Sequence, residues 1–201
     1  MFARFRCNDL KEGAGVCCRA APRATITNMM KRAPMPSLAD GVIQLRPLTQ
    51  ADAAAHLAGE DEEMAKWLNG GRSTASTVQA AIDKFEEQFL TGGPRRAFGA
   101  FDCNSGQLIG FCEANLEILG NSAEVNVAYG IFAVWRGRGL AGRAINLVAE
   151  YLRRATDATW IVLQIAPENA GSIRVAEKAG FDRVGVREGV EGKWVRYERK
   201  L

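Results

Sequence analysis

The segment that most constrains the fold is TWIVLQIA, residues 159–166, a nearly continuous apolar run behind a helical one. The preceding stretch LAGRAINLVAEYLRRA sets Leu140, Ile145, Val148 and Leu152 along one stripe at helical spacing. A strand that is apolar on both faces and follows a helical crossover is suited to parallel pairing. Upstream the signals are of the opposite kind. RAFGAFD and QLIGFCEANLEI flank the tight-turn signal CNSG, and a second turn at Gly120-Asn121 leads into AEVNVAYGIFAV. These three runs predict an antiparallel meander, so one sheet has to hold both kinds of pairing.

The remaining segments dress that sheet. VIQLRPL alternates and stops at Pro47, a short first strand. TQADAAAHLAG and DEEMAKWL predict two short helices, the second ended by Gly70-Gly71, and STASTVQAAIDKFEEQFL predicts a longer one with Val78, Ile82, Phe85 and Phe89 on one face. ENAGSIRVAEKAG predicts a last helix stopped by Gly180, before FDRVGVREG and KWVRYERKL close the chain as paired strands. The expected class is α/β of the mixed α+β kind: a single domain with a mixed sheet covered by helices.

Residues 1–40 differ from the rest. They carry seven Lys/Arg against three Asp/Glu, with Cys, Ala and Pro in no periodic arrangement. The segment is expected to be a disordered extension or the product of a mis-set start, with Met29, Met30 and Met35 as alternative starts. A targeting peptide is the lesser alternative, because Ser is scarce. The domain proper is then 41–201, which is close to neutral. Neutrality there disfavours nucleic acid as a partner.

The cysteines Cys7, Cys17, Cys18, Cys103 and Cys112 form no CxxC pair and the only histidine is His56, so no metal is expected. An odd count of thiols fits a reduced, cytoplasmic setting. No run is long and apolar enough to span a membrane.

The stretch WRGRGLAGRA, residues 135–144, sits where the meander's last strand gives way to a helix. The first amides of that helix have no intrahelical partner, and its dipole favours negative charge there. Glycines at 137, 139 and 142 remove the side chains that would keep an anion away, so the junction reads as a phosphate cradle. Arg136, Arg138 and Arg143 add positive charge around it. No Gly-Lys-Ser/Thr ends the loop and no dinucleotide fingerprint follows. An RNA-contacting Arg-Gly element is the rival reading of the stretch taken alone.

A second motif follows. R-x-x-G-x-A at Arg136, Gly139 and Ala141, with N-x-x-S-x-x-V-A-x-K-x-G-F at 169–181, resembles the GNAT superfamily of acetyl-CoA-dependent N-acetyltransferases. It is most similar to the branch that contains the ribosomal-protein N-terminal acetyltransferases, whose first strand and helix LRPLTQADA (45–53) also resembles. The resemblance covers about residues 42–201. It implies a twisted mixed sheet of about seven strands, helices on both faces, and fourth and fifth strands that splay apart. The pantetheine of acetyl-CoA is expected along the fourth-strand edge at Ile131, Phe132, Ala133 and Val134, although many relatives carry Pro-Glu at the last two positions. The pyrophosphate is expected on the junction Arg136, Gly137, Arg138, Gly139, Leu140, Ala141, Gly142 and Arg143. Asn169 is expected to bond the pantetheine arm.

For catalysis, the tyrosine that many relatives place in the last helix corresponds to Ala176, and the fifth-strand glutamate of others to Gln164. Ser172 is then a candidate proton donor, or a simple helix-start hydroxyl. Glu113 and Glu124 are candidate bases beside the acceptor cleft. The acidic run Glu60–Glu63 either attracts a cationic amine or forms a solvated helix start. Trp67 is a cleft wall or a core anchor, and His56 the least favoured base. The resulting expectation is N-acetyl transfer from acetyl-CoA to a primary amine, either a protein N-terminus or a small molecule, by a monomer or homodimer. The rival from another class is a catalytically silent acyl-CoA-binding protein.

Overall fold

The computed structural model describes residues 35–120, 122–189 and 192–201. Most of the segment expected to be an extension, and Asn121 of the second turn, lie outside the described residues. The last residues of that segment belong to the sheet. Leu38–Ala39 form β1, which pairs with β2 (Ile43–Arg46) around Gly41, at φ 85°. The Asp40 carboxylate accepts the Val42 and Ile43 amides, both at 2.9 Å, and closes that turn. A two-residue strand has no periodicity to read, so the sequence carried no signal for β1.

The Thr49 amide and hydroxyl both donate to Asp52 at 2.8 Å and start the next segment as a 3-10 turn leading into α1 (Ala53–Gly59). DEEMAKWL is not one α-helix. It is a single turn, α2 (Glu62–Met64), followed by a π-wound turn over Ala65–Asn69 that ends at left-handed Gly70. Thr74 and Thr77 cap α3 (Ala75–Thr91) reciprocally, and Val78 and Ile82 are its buried positions. The meander β3 (Arg95–Asp102), β4 (Leu108–Asn115) and β5 (Glu124–Ile131) is antiparallel throughout, with Glu113 opposite Ala128 and Phe111 opposite Gly130.

After β5 come a 3-10 turn at Ala133–Trp135 and then α4 (Leu140–Ala155), β6 (Trp160–Ile165), α5 (Ala170–Lys178), β7 (Asp182–Gly189) and β8 (Gly192–Lys200). The sheet order is β1-β2-β3-β4-β5-β6-β8-β7, eight strands among the described residues where about seven were expected. Side-chain parity splits the core between the two faces. Val125, Val127, Tyr129 and Ile131 of β5 join Leu140, Ile145 and Val148 of α4 in the main cluster. Ala128 of the same strand points the other way, to Met64, Leu68 and Phe132.

The expected splay is present. β5 and β6, the fourth and fifth strands of the sequence reading, pair in parallel only over Glu124–Asn126 against Trp160–Val162. Beyond that point β5 runs on to Ile131 while β6 stays with β8, so the β5 edge from Val127 onward opens toward the crossover. No described helix is long and apolar enough to cross a membrane.

Candidate active site

Two clefts meet across β5. The first, about 670 Å³, is lined by Ile131, by the junction from Trp135 to Arg143 except Arg138, and by Gly171, Arg174 and Lys178 of α5. The second, about 660 Å³, lies on the opposite face and is lined by His56, Lys84, Arg95, Phe111, Glu113 and Ala128 among others. One strand therefore supplies Ile131 to the first cleft and Ala128 to the second.

The junction has the geometry of an anion cradle. Gly137 and Gly139 adopt φ of 78° and 74°, a region that only glycine enters without strain. A Cβ built at Gly137, Gly139 or Gly142 meets nothing within 4 Å, so the missing side chains keep the space above the amides open rather than relieve a clash. Gly142 lies inside α4, where glycine costs about 1 kcal/mol relative to alanine, so openness comes at a cost in helix stability. The first amide to find an i−4 partner across the helix start is that of Arg143, at 3.3 Å from the Gly139 carbonyl. The amides before it are those that a helix leaves to a ligand.

The three arginines are not loose charge around this cradle. Arg136 donates Nε to the Ile131 carbonyl (2.9 Å) and places its other nitrogens on Asp61 (2.6 and 2.9 Å) and Glu63 (3.0 Å). Arg138 donates to the Val134 carbonyl and stacks on Trp135, outside the cleft lining. Arg143 pairs with Asp40 at 2.7 Å. The acidic run is spent in the same way. Asp61 caps α2 through the Met64 amide, Glu60 accepts the Ser73 amide at 2.7 Å and the Asn69 side chain at 2.6 Å, and Glu62 pairs with Arg72. Burial raises the Asp61 carboxyl, and the Arg136 and Met64 hydrogen bonds outweigh it, leaving the group below the ordinary carboxylate range. Asp61 and Glu63 fasten the junction, whereas Glu60 and Glu62 hold the loop at Asn69–Ser73.

The stretch Ile131–Val134, expected to carry the pantetheine arm, crosses the end of β5. Only Ile131 is in the strand; Phe132 is buried in the second face, and Ala133 and Val134 belong to the 3-10 turn that brings Arg136 under α2. The open edge runs instead along the end of β5 before that turn. Two orphaned buried acceptors flank it. Asn126 Oδ1, where the β5–β6 pairing ends, and Ser172 Oγ have no hydrogen-bond partner among the described residues. Ser172 is fully buried, its amide donates to Asn169 Oδ1 (3.1 Å), and its carbonyl accepts the Tyr129 hydroxyl (3.4 Å). A polar, amide-bearing arm fits an edge with such unmet partners. Asn169 caps α5, and Ala176 is buried in the main cluster with no proton to give.

The carboxylates separate cleanly. Glu113 lies in the second cleft, 5% exposed, with its Oε1 2.5 Å from Arg95 Nε. Burial pushes its carboxyl up, against the pull of Arg95 and Lys84. Glu124 is at the paired end of β5, held by Arg196 at 2.7 Å, and lines neither cleft. The strand that carries Glu124 contributes Ala128, and not Glu124, to the lining of the second cleft. Trp67 packs partly buried on Met64, Leu68 and Phe132, as an anchor. Sequence reasoning passed over Arg95 and all but dismissed His56. Arg95 had no local signal, because its partner Glu113 is distant in sequence. Among the described residues no group of three His, Cys, Asp or Glu is arranged to hold a metal.

Comparisons with known proteins give the family. The family model described as an acetyltransferase (GNAT) domain matches residues 43–182. A probable N-acetyltransferase of Bacillus subtilis is 27% identical over 157 residues, 72% of this chain and 82% of the relative. The Escherichia coli ribosomal protein uS5 alanine N-acetyltransferase is 25% identical over 56% of this chain and 58% of its own length. Among solved structures, the aminoglycoside acetyltransferase AAC(6′)-Ib in complex with coenzyme A superposes with a TM-score of 0.64 at 24% identity, over 79% of this chain and 94% of that one. An open-edged β5 beside a glycine-opened helix start, and a family match over most of the described chain, lead to one statement: this chain belongs to the GNAT acetyltransferases.

Proposed function

We propose that the chain transfers an acetyl group from acetyl-CoA directly to a primary amine that enters by the second cleft. The observation that carries this reading is that β5 opens to both clefts at once, through Ile131 and Ala128. The pyrophosphate would lie on the amides between Gly137 and Arg143, and the arm along the β5 edge past Asn126 and Ser172. Donor and acceptor then approach from opposite faces of one strand, and such positioning alone removes several kcal/mol of barrier.

The acceptor cleft favours a peptide N-terminus or a small monoamine over a polycation. Its charged lining is Arg72, Lys84 and Arg95 against Glu113, and its floor is apolar through Val78, Ile82 and Phe111. None of the acidic run Glu60–Glu63, which a polycation would seek, lines this cleft. The test is thiol release from acetyl-CoA over N-terminal peptides, polyamines and aminoglycosides. Turnover of peptides or monoamines is expected. Turnover of aminoglycosides alone would refute the acceptor assignment. Binding of acetyl-CoA with no turnover of any amine would favour the silent acyl-CoA-binding protein.

A further inference from the structure

His56 occupies a place that neither the donor cradle nor Glu113 fills. It lies on α1 and lines the acceptor cleft. Its ring is 5.5 Å from that of Phe111 and 6.2 Å from that of Phe132. Phe111 stands opposite Gly130 in the β4–β5 ladder, and Phe132 follows Ile131 directly. The imidazole is thus set over the end of β5, where the acceptor cleft reaches the edge proposed for the donor arm. Its Nδ1 is shut off from solvent with no hydrogen-bond partner among the described residues. That leaves Nε2 as the atom through which the ring exchanges a proton with the cleft.

We infer that His56 is the catalytic base that takes the proton from the acceptor ammonium, with Phe111 and Phe132 fixing the ring in place. The inference rests on the transferase reading above. In the step, R–NH3+ gives one proton to His56 Nε2, and the freed nitrogen lone pair forms the C–N bond at the thioester carbonyl carbon. The C–S bond then breaks and its electron pair leaves with the sulfur. The amide nitrogen loses its surplus proton to that thiolate, giving CoA thiol, and the imidazolium passes its own proton to water. No oxidant or further reactant is needed.

The surroundings suit the role. Burial holds the imidazole below its ordinary value, against the opposing pull of Glu60 at the end of α1. The other charged groups of the cleft are Glu113 on β4, Arg95 on β3, Lys84 on α3 and Arg72 in the loop before it. Glu113 is engaged by Arg95, so it is the less available base. The neutral ring that acts as base carries its one proton on Nδ1, which leaves the Nε2 lone pair free to accept the ammonium proton.

Because the chain has one histidine, its imidazole gives a single set of NMR resonances. In the full-length protein those resonances are expected to titrate with a midpoint below 6.5, the ordinary value. kcat/KM for the best amine of the screen should fall on the acid side with the same midpoint. His56→Gln should lose about 100-fold in kcat/KM, the low end for a general base, and lose that acid limb, while acetyl-CoA still raises its melting temperature. His56→Phe keeps an aromatic ring in the pocket and should lose the rate equally, which separates chemistry from folding. An unchanged acid limb in either variant, or a rate within a few-fold of the parent, overturns the assignment. If no amine is acetylated the transferase reading falls first; the imidazole resonances then decide, since their failure to move when a saturating primary amine is added to the acetyl-CoA-loaded protein also overturns the base.

Discussion

Arg136 reaches from the glycine-rich junction to Asp61 at the start of α2, with guanidinium nitrogens 2.6 and 2.9 Å from the carboxylate oxygens. The pair is partly buried, at 19% and 30% side-chain exposure, and it ties the junction beside α4 to the elements that roof the acceptor cleft. Arg136→Ala should therefore both lower stability and weaken acetyl-CoA binding. Loss of a charge-assisted pair of this kind costs about 1–3 kcal/mol. The Arg136→Ala, Asp61→Asn and double variants form a cycle; a coupling below about 0.3 kcal/mol by chemical denaturation would show that the two groups act independently.

Gly139 separates backbone shape from charge. Its φ of 74° strains any other residue, while a Cβ there meets nothing within 4 Å. Gly139→Ala should cost about 1 kcal/mol in stability and leave most of the acetyl-CoA-induced rise in melting temperature intact. Gly139→Asp puts a negative charge over the amides and should abolish that rise even at millimolar acetyl-CoA. A retained rise in the Asp variant would move the pyrophosphate away from this helix start.

Glu113 and Arg95 make the opposite kind of pair, with side chains 6% and 19% exposed. Removing the cation leaves a carboxylate buried against Lys84 alone. Arg95→Met should destabilise by about 3–5 kcal/mol, whereas Glu113→Gln, which keeps shape and hydrogen-bonding capacity, should cost less. If Glu113 were the base, Glu113→Gln would remove the acid limb of the rate profile and His56→Gln would leave it. The reverse pattern is expected.

The parts of this molecule that announced themselves in sequence are those whose cause is local. α4 runs Leu140–Ala155 as its apolar stripe requires, and β6 pairs in parallel as its two-sided apolar run requires. The open junction was legible because glycines at 137, 139 and 142 leave a helix start without side chains. What stayed hidden depends on partners far along the chain. Nothing in Asp61-Glu62-Glu63 says that Arg136 will claim two of the three carboxylates. Glu113 and Glu124 look alike as strand carboxylates, and only the assembled sheet places the first, on β4, in the cleft and the second, on β5, against Arg196. His56 in an Ala-rich helix carries no mark of the two phenylalanines that hold it.

The domain start can be tested at β1. Asp40 closes the β1–β2 turn and also pairs with Arg143 at the cradle. A chain starting at residue 35 keeps both contacts and should bind acetyl-CoA as the full chain does. A chain starting at residue 41 loses them, and its acetyl-CoA affinity should drop several-fold by isothermal titration. Equal affinity of the two truncations would show that β1 and Asp40 play no part in the donor site.

Acid should loosen the fold through identifiable carboxylates. Burial raises the Asp52 carboxyl, but the Arg46 pair at 2.8 Å and the Thr49 amide and hydroxyl outweigh it and hold the group below its ordinary 3.8. A folded value below the unfolded one means that the unfolded chain binds the proton more readily. The stabilisation is therefore complete above the unfolded value and is lost as pH falls through the folded one. Asp40 and Asp61 are lowered in the same direction, so the three act together. Asp52→Asn should cost about 1–2 kcal/mol at pH 7, and the gap to the parent should close as pH falls below about 4. Denaturant melts at pH 7, 5 and 3 measure it; a gap that persists undiminished at pH 3 would mean that the carboxylate's charge contributes nothing and that only its shape matters at the α1 start.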